Sequence, residues 1–171
     1  ANAYIKECEL TKKQQSYPLD VYFCSECKHL QLIDVIDPSY LYQNYRYVSG
    51  TSNVFIKHFK DYYQNIKENY FKDGLIVDIG SNDGTLLKFF QRSGYRVIGI
   101  EPAQEIAKEA MNNGIPTLIN FFSQKLSNKL LRKYGSAKVI TANNVFAHID
   151  NPKDFLQGVK NLIKDSKGIF V

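Results

Sequence analysis

Two hydrophobic periods divide this chain, and the pattern changes near residues 50 and 74. Between Tyr17 and Tyr47, pieces such as "YPLDVYFC" and "HLQLIDVI" alternate apolar and polar residues, which predicts short strands joined by turns. In "TSNVFIKHFKDYYQNIKENYF" the spacing shifts. Phe55, Phe59, Tyr62, Ile66 and Tyr70 recur at three- and four-residue steps, predicting a long amphipathic helix with Thr51 or Ser52 as its N-cap. From Gly74 onward the apolar runs "LIVDIG", "YRVIGIE", "IPTLIN", "KVITAN" and "GIFV" read as strands. Helical patterns separate them at Thr85 to Arg92, Ala103 to Asn112, Gln124 to Lys133 and Pro152 to Ile163. Strands alternating with crossover helices predict an α/β fold with a doubly wound, mostly parallel sheet. The punctuation agrees: Gly94 and Gly135 stand where helices stop, Ser123 can cap one start, and Asp150 or Asn151 precedes Pro152 at another. The expected organisation is a small β-rich module over residues 1–50, a connecting helix over 51–73 and the main domain over 74–171.

Composition narrows this further. With 171 residues, 44% of them hydrophobic, the chain can bury one good core and a small appendage. The net charge of +5 is spread without a block of like charges, so no nucleic-acid arm is expected. No run of about 18 apolar residues is present, so no membrane span is expected. Three cysteines with one close pair do not make a disulfide framework, and a reducing, cytoplasmic setting is expected. The chain opens without Met, so the native N-terminus is expected upstream of Ala1.

In a doubly wound sheet, ligands lie beyond the carboxyl ends of the strands at the switch point. Those ends fall after Asp78, Ile100 and Ala142. "LIVDIGSNDGTLLKFF", Leu75 to Phe90, reads as a buried strand, a glycine turn and a helix. A dinucleotide turn takes the form G-x-G-x-x-G, so that backbone N–H groups approach a pyrophosphate. Here Gly80-Ser81-Asn82-Asp83-Gly84 puts Asn82 at the second glycine, and Asp78 and Asp83 would repel that dianion. S-adenosylmethionine carries an ammonium, a sulfonium and no phosphate, so the acidic strand end suits it; the other reading of Asp78 is a cap on the turn. Glu101, 21 residues beyond Gly80, stands where an acid accepts hydrogen bonds from both ribose hydroxyls. Phe121 and Phe122 follow the third strand and either lie against adenine or pack in the core. In "ANNVFAHI", the amides Asn143 and Asn144 and the imidazole of His148 form a polar cluster at the fourth strand end.

Together, "VDIGSNDGTLL", "GIEPA", "NNVFAHI" and, upstream, "YPLDVYFCSECKHLQL" and "YRYVSG" resemble the sugar C-methyltransferase family, whose members methylate carbon 3 of nucleotide-linked 4-keto-6-deoxyhexoses. The resemblance covers essentially the whole chain. It implies a class I, Rossmann-like methyltransferase domain binding S-adenosylmethionine, a zinc-ribbon-like N-terminal module and a C-terminal domain that supplies catalytic groups. It further implies that Gly80, Ser81, Asn82, Gly84 and Pro102 belong to the cofactor site with Asp78 and Glu101. On the sugar side it places His148, Tyr45 and Tyr47, and at the metal Cys24 and Cys27.

Two departures from the family pattern bear on these expectations. Only one Cys-x-x-Cys pair, Cys24-Ser25-Glu26-Cys27, is present, and Cys8 is not at a matching position. A closed four-thiolate zinc site is therefore expected in a longer protein, with zinc absent or partial here and Cys8 or His29 as substitute ligands. The chain also stops at the fifth strand, before the last strands and the C-terminal domain that supplies the family's principal base, so binding without turnover is expected. Two other readings remain open: a nicotinamide-dependent oxidoreductase on the same fold, and a non-catalytic zinc-ribbon binding module.

Overall fold

The computed structural model describes residue 5, residues 7–42 and residues 45–171, and it divides into two compact units, Ala1–Tyr45 and Arg46–Val171. The connecting helix expected over 51–73 belongs to the second unit.

In the first unit, strands β1 (Val21–Phe23) and β2 (Leu30–Leu32) pair antiparallel, with Tyr22 opposite Gln31. The connection contains the two cysteines. Cys24 N–H donates to the His29 carbonyl, Lys28 N–H donates to the Cys24 carbonyl, and Lys28 takes a left-handed φ of 64° to close the turn. A short helix α1 (Pro38–Tyr42) follows. Every side chain of β1 and β2 is exposed, so this hairpin has no apolar core of its own to hold it.

The second unit opens with a 3-10 turn, Ser49–Thr51, and helix α2 (Asn53–Asn69). Ser52 is the N-cap, its Oγ accepting from Phe55 N–H. The stripe that α2 buries is Phe59, Tyr63 and Ile66, whereas Tyr70 is exposed. The helix ends at Asn69, so Tyr70 falls beyond the periodic face. Five parallel strands follow: β3 (Leu75–Ile79), β4 (Arg96–Ile100), β5 (Thr117–Leu118), β6 (Val139–Thr141) and β7 (Ile169–Phe170), in the order β5-β4-β3-β6-β7. Helices α3 (Thr85–Arg92), α4 (Gln104–Asn112), α5 (Gln124–Tyr134) and α6 (Pro152–Ile163) form the crossovers, with Ser123 and Asn151 as the caps of α5 and α6.

Side-chain alternation along the strands sorts the core into two layers. Leu75, Val77 and Ile79 of β3 pack with Leu126, Leu130, Phe155 and Leu162 of α5 and α6. Ile76 of the same strand packs with Val97, Val139 and the buried faces of α2 and α3. All five residues of β3 are buried, which is why its sequence is a continuous apolar run broken only by Asp78. With β3 central and its neighbours β4 and β6 reached by opposite crossovers, the topological switch point lies at the carboxyl end of β3. Among the described residues no helix is long and apolar enough to cross a membrane.

Candidate functional site

Period-two alternation puts Asp78 on the same face of β3 as Ile76, under α2 and α3. Asp78 is 4% exposed, and its Oδ1 accepts from Thr141 Oγ1 at 2.6 Å. Burial pushes its carboxyl up to about 7; the Thr141 hydroxyl opposes the shift and the charge of Glu101 adds to it.

The turn after β3 is built on left-handed backbone at Gly80 (φ 70°), Asn82 (φ 52°) and Gly84 (φ 76°). A Cβ at Gly80 would collide with the Val145 side chain, so only glycine lets the segment after β6 close over the turn. Gly80 and Ser81 N–H groups donate to the Ile100 carbonyl at 2.7 and 3.2 Å, tying the turn to the end of β4. Glu101, 5% exposed, tightens that junction. Its Oε2 accepts from Asn82 N–H at 2.9 Å and its Oε1 from Ala103 N–H at 2.8 Å, with half-buried Pro102 between. Burial raises the Glu101 carboxyl and the two N–H donors oppose it. Each oxygen keeps a second acceptor direction, so a vicinal diol can bind without displacing either backbone donor.

The Asn82 and Asp83 side chains face a different partner. Asn82 Oδ1 accepts from Ser49 N–H at 2.9 Å, and its Nδ2 donates to the Tyr47 carbonyl at 2.8 Å. Asp83 Oδ2 accepts from Gly50 N–H at 2.9 Å and from Thr85 Oγ1 at 2.9 Å. Tyr47 sets its ring edge-on against Phe55, 6.2 Å between centroids. Tyr45 belongs to the first unit, where its ring meets Tyr42.

Beyond β6 the chain turns through Asn143, left-handed Asn144 (φ 54°) and a 3-10 turn, Phe146–His148. His148 is exposed, its N–H donating to the Val145 carbonyl at 2.9 Å. The two phenylalanines after β5 part company. Phe121 is exposed, whereas Phe122 packs edge-on against Phe155 at 5.1 Å and over Gly158, as a core aromatic does.

Three buried side-chain atoms lack a hydrogen-bond partner among the described residues: Ser81 Oγ, Asn143 Nδ2 and Tyr62 Oη. All three stand on elements that meet around the carboxyl end of β3. Ser81 is in the turn, over Gly99, and Asn143 lies two residues beyond the end of β6. Burial, with the charge of Asp78 adding to it, pushes the phenol of Tyr62 on α2 up to about 12 and keeps it a donor. Leaving such groups dry and unpaired costs about 1 to 3 kcal/mol each, which a polar ligand seated here would recover. Sequence reading missed Tyr62 and Thr141. Tyr62 reads as one more ring on an apolar stripe; Thr141, the last residue of β6, carries a hydroxyl that only the β3–β6 register brings to Asp78.

In the first unit, Cys24 and Cys27 stand three residues apart on the connection between β1 and β2, a spacing that suits two ligands of a tetrahedral zinc site. The backbone N–H groups of Cys27 and Glu26, and the Cys27 side chain, lower the Cys24 thiol below its ordinary range. Among the described residues no group of three or more His, Cys, Asp or Glu side chains gathers as a metal site; neither Cys8 nor His29 completes one. The residues fit a half-site, not a closed one.

A family model described as "Methyltransferase domain" matches residues 54–171, and one described as "Putative zinc binding domain" matches residues 1–42. C-methyltransferase NovU of Streptomyces niveus is 32% identical over 157 residues, which is 91% of this chain and 37% of that protein. The chain thus spans well under half the length of that relative. Two solved structures share the fold. One, from Methanococcus maripaludis, is 12% identical with a TM-score of 0.53, covering 65% of this chain and 53% of the other. The second, an S-adenosylmethionine-dependent methyltransferase from Clostridium acetobutylicum, is 20% identical with a TM-score of 0.51, covering 67% and 48%.

Proposed function

The chain belongs to the methyltransferase-domain family, and we propose that its switch-point site binds S-adenosylmethionine for methyl transfer to a carbon of a nucleotide-linked keto-deoxy sugar. The observation that carries the cofactor reading is the pair of buried carboxylates, Asp78 and Glu101, at the ends of adjacent strands flanking a glycine turn. Such a site disfavours a dianionic pyrophosphate and favours a cationic ligand with a ribose diol. The unpaired Asn143 and Tyr62 donors fit the same ligand, whose carboxylate and adenine offer acceptors. When bound, this cofactor supplies an electrophilic methyl group on a sulfonium.

The protein's own groups do the rest. Glu101 accepts from the ribose hydroxyls, Asp78 holds the ammonium end, and Phe121 covers the adenine. Tyr47 donates to the sugar's keto oxygen and to the enolate that forms when the neighbouring carbon loses its proton, and His148 orients the sugar and relays that proton. The C-methyl specificity rests on the family resemblance and on the similarity to NovU.

Calorimetric titration with S-adenosylhomocysteine, S-adenosylmethionine and NAD tests the cofactor reading. Saturable binding of the first two and none of NAD is expected; the reverse overturns it. Titration of the S-adenosylhomocysteine complex with a nucleotide-linked 4-keto-6-deoxyhexose tests the substrate class. Heat of binding lost on removing the keto group supports it, and no heat from either sugar removes it.

A further inference from the structure

Asn82 makes three hydrogen bonds to two different parts of the molecule. Its N–H donates to Glu101 Oε2, at the proposed ribose end of the site, while its side-chain amide accepts from Ser49 N–H and donates to the Tyr47 carbonyl. Asp83 extends the same clip by one residue, accepting from Gly50 N–H. The fit is close, since a Cβ at Gly50 would collide with Asp83 Oδ2 and crowd Thr85 Oγ1. Gly50 has no left-handed backbone to explain a glycine, so the close approach explains it. The clip thus spans 35 residues of sequence and gives the segment that presents Tyr47 a fixed place on the cofactor turn.

We infer that Asn82 and Asp83 are positioning residues that couple occupancy of the cofactor site to the placement of the Tyr47–Gly50 segment. This rests on the cofactor reading above. Glu101 and Asn82 share one hydrogen bond, so a ligand that fixes the Glu101 carboxylate also fixes the Asn82 backbone, and through its amide the segment holding Tyr47. Coupling of this kind is reciprocal: a ligand that steadies the clip must bind more weakly once the clip is cut. Occupancy of the cofactor site and placement of the substrate-side tyrosine then favour one another. The αL backbone at Asn82 also explains its residue type, because asparagine tolerates positive φ and offers both a donor and an acceptor.

The test is amide hydrogen exchange of the peptide covering residues 47–51, with and without S-adenosylhomocysteine. The ligand is expected to slow that exchange in the wild type by about fivefold or more. Asn82→Gly keeps the left-handed backbone and the N–H to Glu101 but deletes the amide; Gly50→Ala cuts the clip from the other side by pushing the Asp83 side chain away while leaving Asn82 and Glu101 unaltered in sequence. Both are expected to exchange this segment quickly whether ligand is present or not, and to bind S-adenosylhomocysteine roughly three- to thirtyfold more weakly. Asn82→Asp, which keeps the acceptor for Ser49, should recover part of the ligand-dependent protection. If the wild type binds the ligand yet exchange at 47–51 does not change, or if both variants keep the ligand-dependent protection, the coupling is wrong and the cofactor reading stands. If the wild type binds no S-adenosylhomocysteine, the cofactor reading falls and this inference falls with it.

Discussion

Thr141 Oγ1 donates to Asp78 Oδ1 at 2.6 Å across a register pair of β3 and β6, so the carboxylate at the centre of the proposed site is held by a neighbouring strand. The hydroxyl favours the ionised form, while burial favours the neutral one strongly enough to bring the carboxyl to about 7. A cationic ligand needs the ionised form. Affinity for S-adenosylhomocysteine is therefore expected to rise with pH through about 7 and then level off. Thr141→Val should move that midpoint upward and weaken binding at neutral pH. A pH-independent affinity would separate Asp78 from the ligand's ammonium.

The same carboxyl makes a stability prediction of opposite sign. Because its folded value lies above the ordinary 3.8, the folded chain holds a proton that the unfolded chain has already released. The contribution of this group to the stability of the ligand-free protein is therefore full below the unfolded value and is lost as pH rises through about 7, with Glu101 acting in the same direction. Asp78→Asn is expected to flatten this dependence and to raise the ligand-free Tm at pH 8 by roughly 5 °C, while weakening S-adenosylhomocysteine. Melting curves across pH decide it, and a lower Tm for Asp78→Asn at pH 8 would refute the account.

Tyr62→Phe removes a buried hydroxyl that has no partner among the described residues. Without ligand this should be neutral or stabilising by up to about 1 kcal/mol. With ligand the hydroxyl gains an acceptor, so the variant should bind S-adenosylhomocysteine more weakly by about 1 kcal/mol. Paired melting and calorimetry measure both. Unchanged affinity would confine Tyr62 to packing.

Glu101→Ala should weaken S-adenosylhomocysteine by roughly 1 to 3 kcal/mol through loss of charge-assisted hydrogen bonds. It also frees the Asn82 and Ala103 N–H groups, so exchange at residues 81–83 should quicken even without ligand. Unaltered affinity with an intact fold would remove Glu101 from the site.

At the N-terminal hairpin, Cys24 and Cys27 are expected to bind zinc as a two-thiolate half-site, much more weakly than a closed four-ligand site. Competition with a chromophoric chelator reads the affinity, and Cys24→Ser or Cys27→Ser should each abolish it. Tight, stoichiometric zinc that survives Cys27→Ser would show that other ligands hold the metal.

The amino-acid pattern alone determined the alternation of strands and helices in the second unit, because a fully buried parallel strand has to be a short apolar run and a surface helix has to show a stripe. It determined the cap at Ser123 and narrowed the others to Thr51 or Ser52 and to Asp150 or Asn151, since such bonds close within three residues; the structure selects Ser52 and Asn151. It also pointed to Asp78 and Glu101, because a carboxylate ending an apolar strand is out of place in a core. What the pattern could not carry were contacts made across strands and between distant segments. Tyr63 is buried on α2 and Tyr62 only half-buried because the neighbouring helix and sheet, not the period, choose which edge of the stripe is covered. Phe121 and Phe122 are equivalent as letters, and only the position of α6 sends one ring to Phe155 and leaves the other exposed. Asn82 reads as a broken glycine motif until the fold brings Tyr47 and Ser49 to its amide, from 35 and 33 residues away. Local periodicity records which side of an element faces inward; which group it meets there depends on sheet order and register, which bring together residues far apart in the chain.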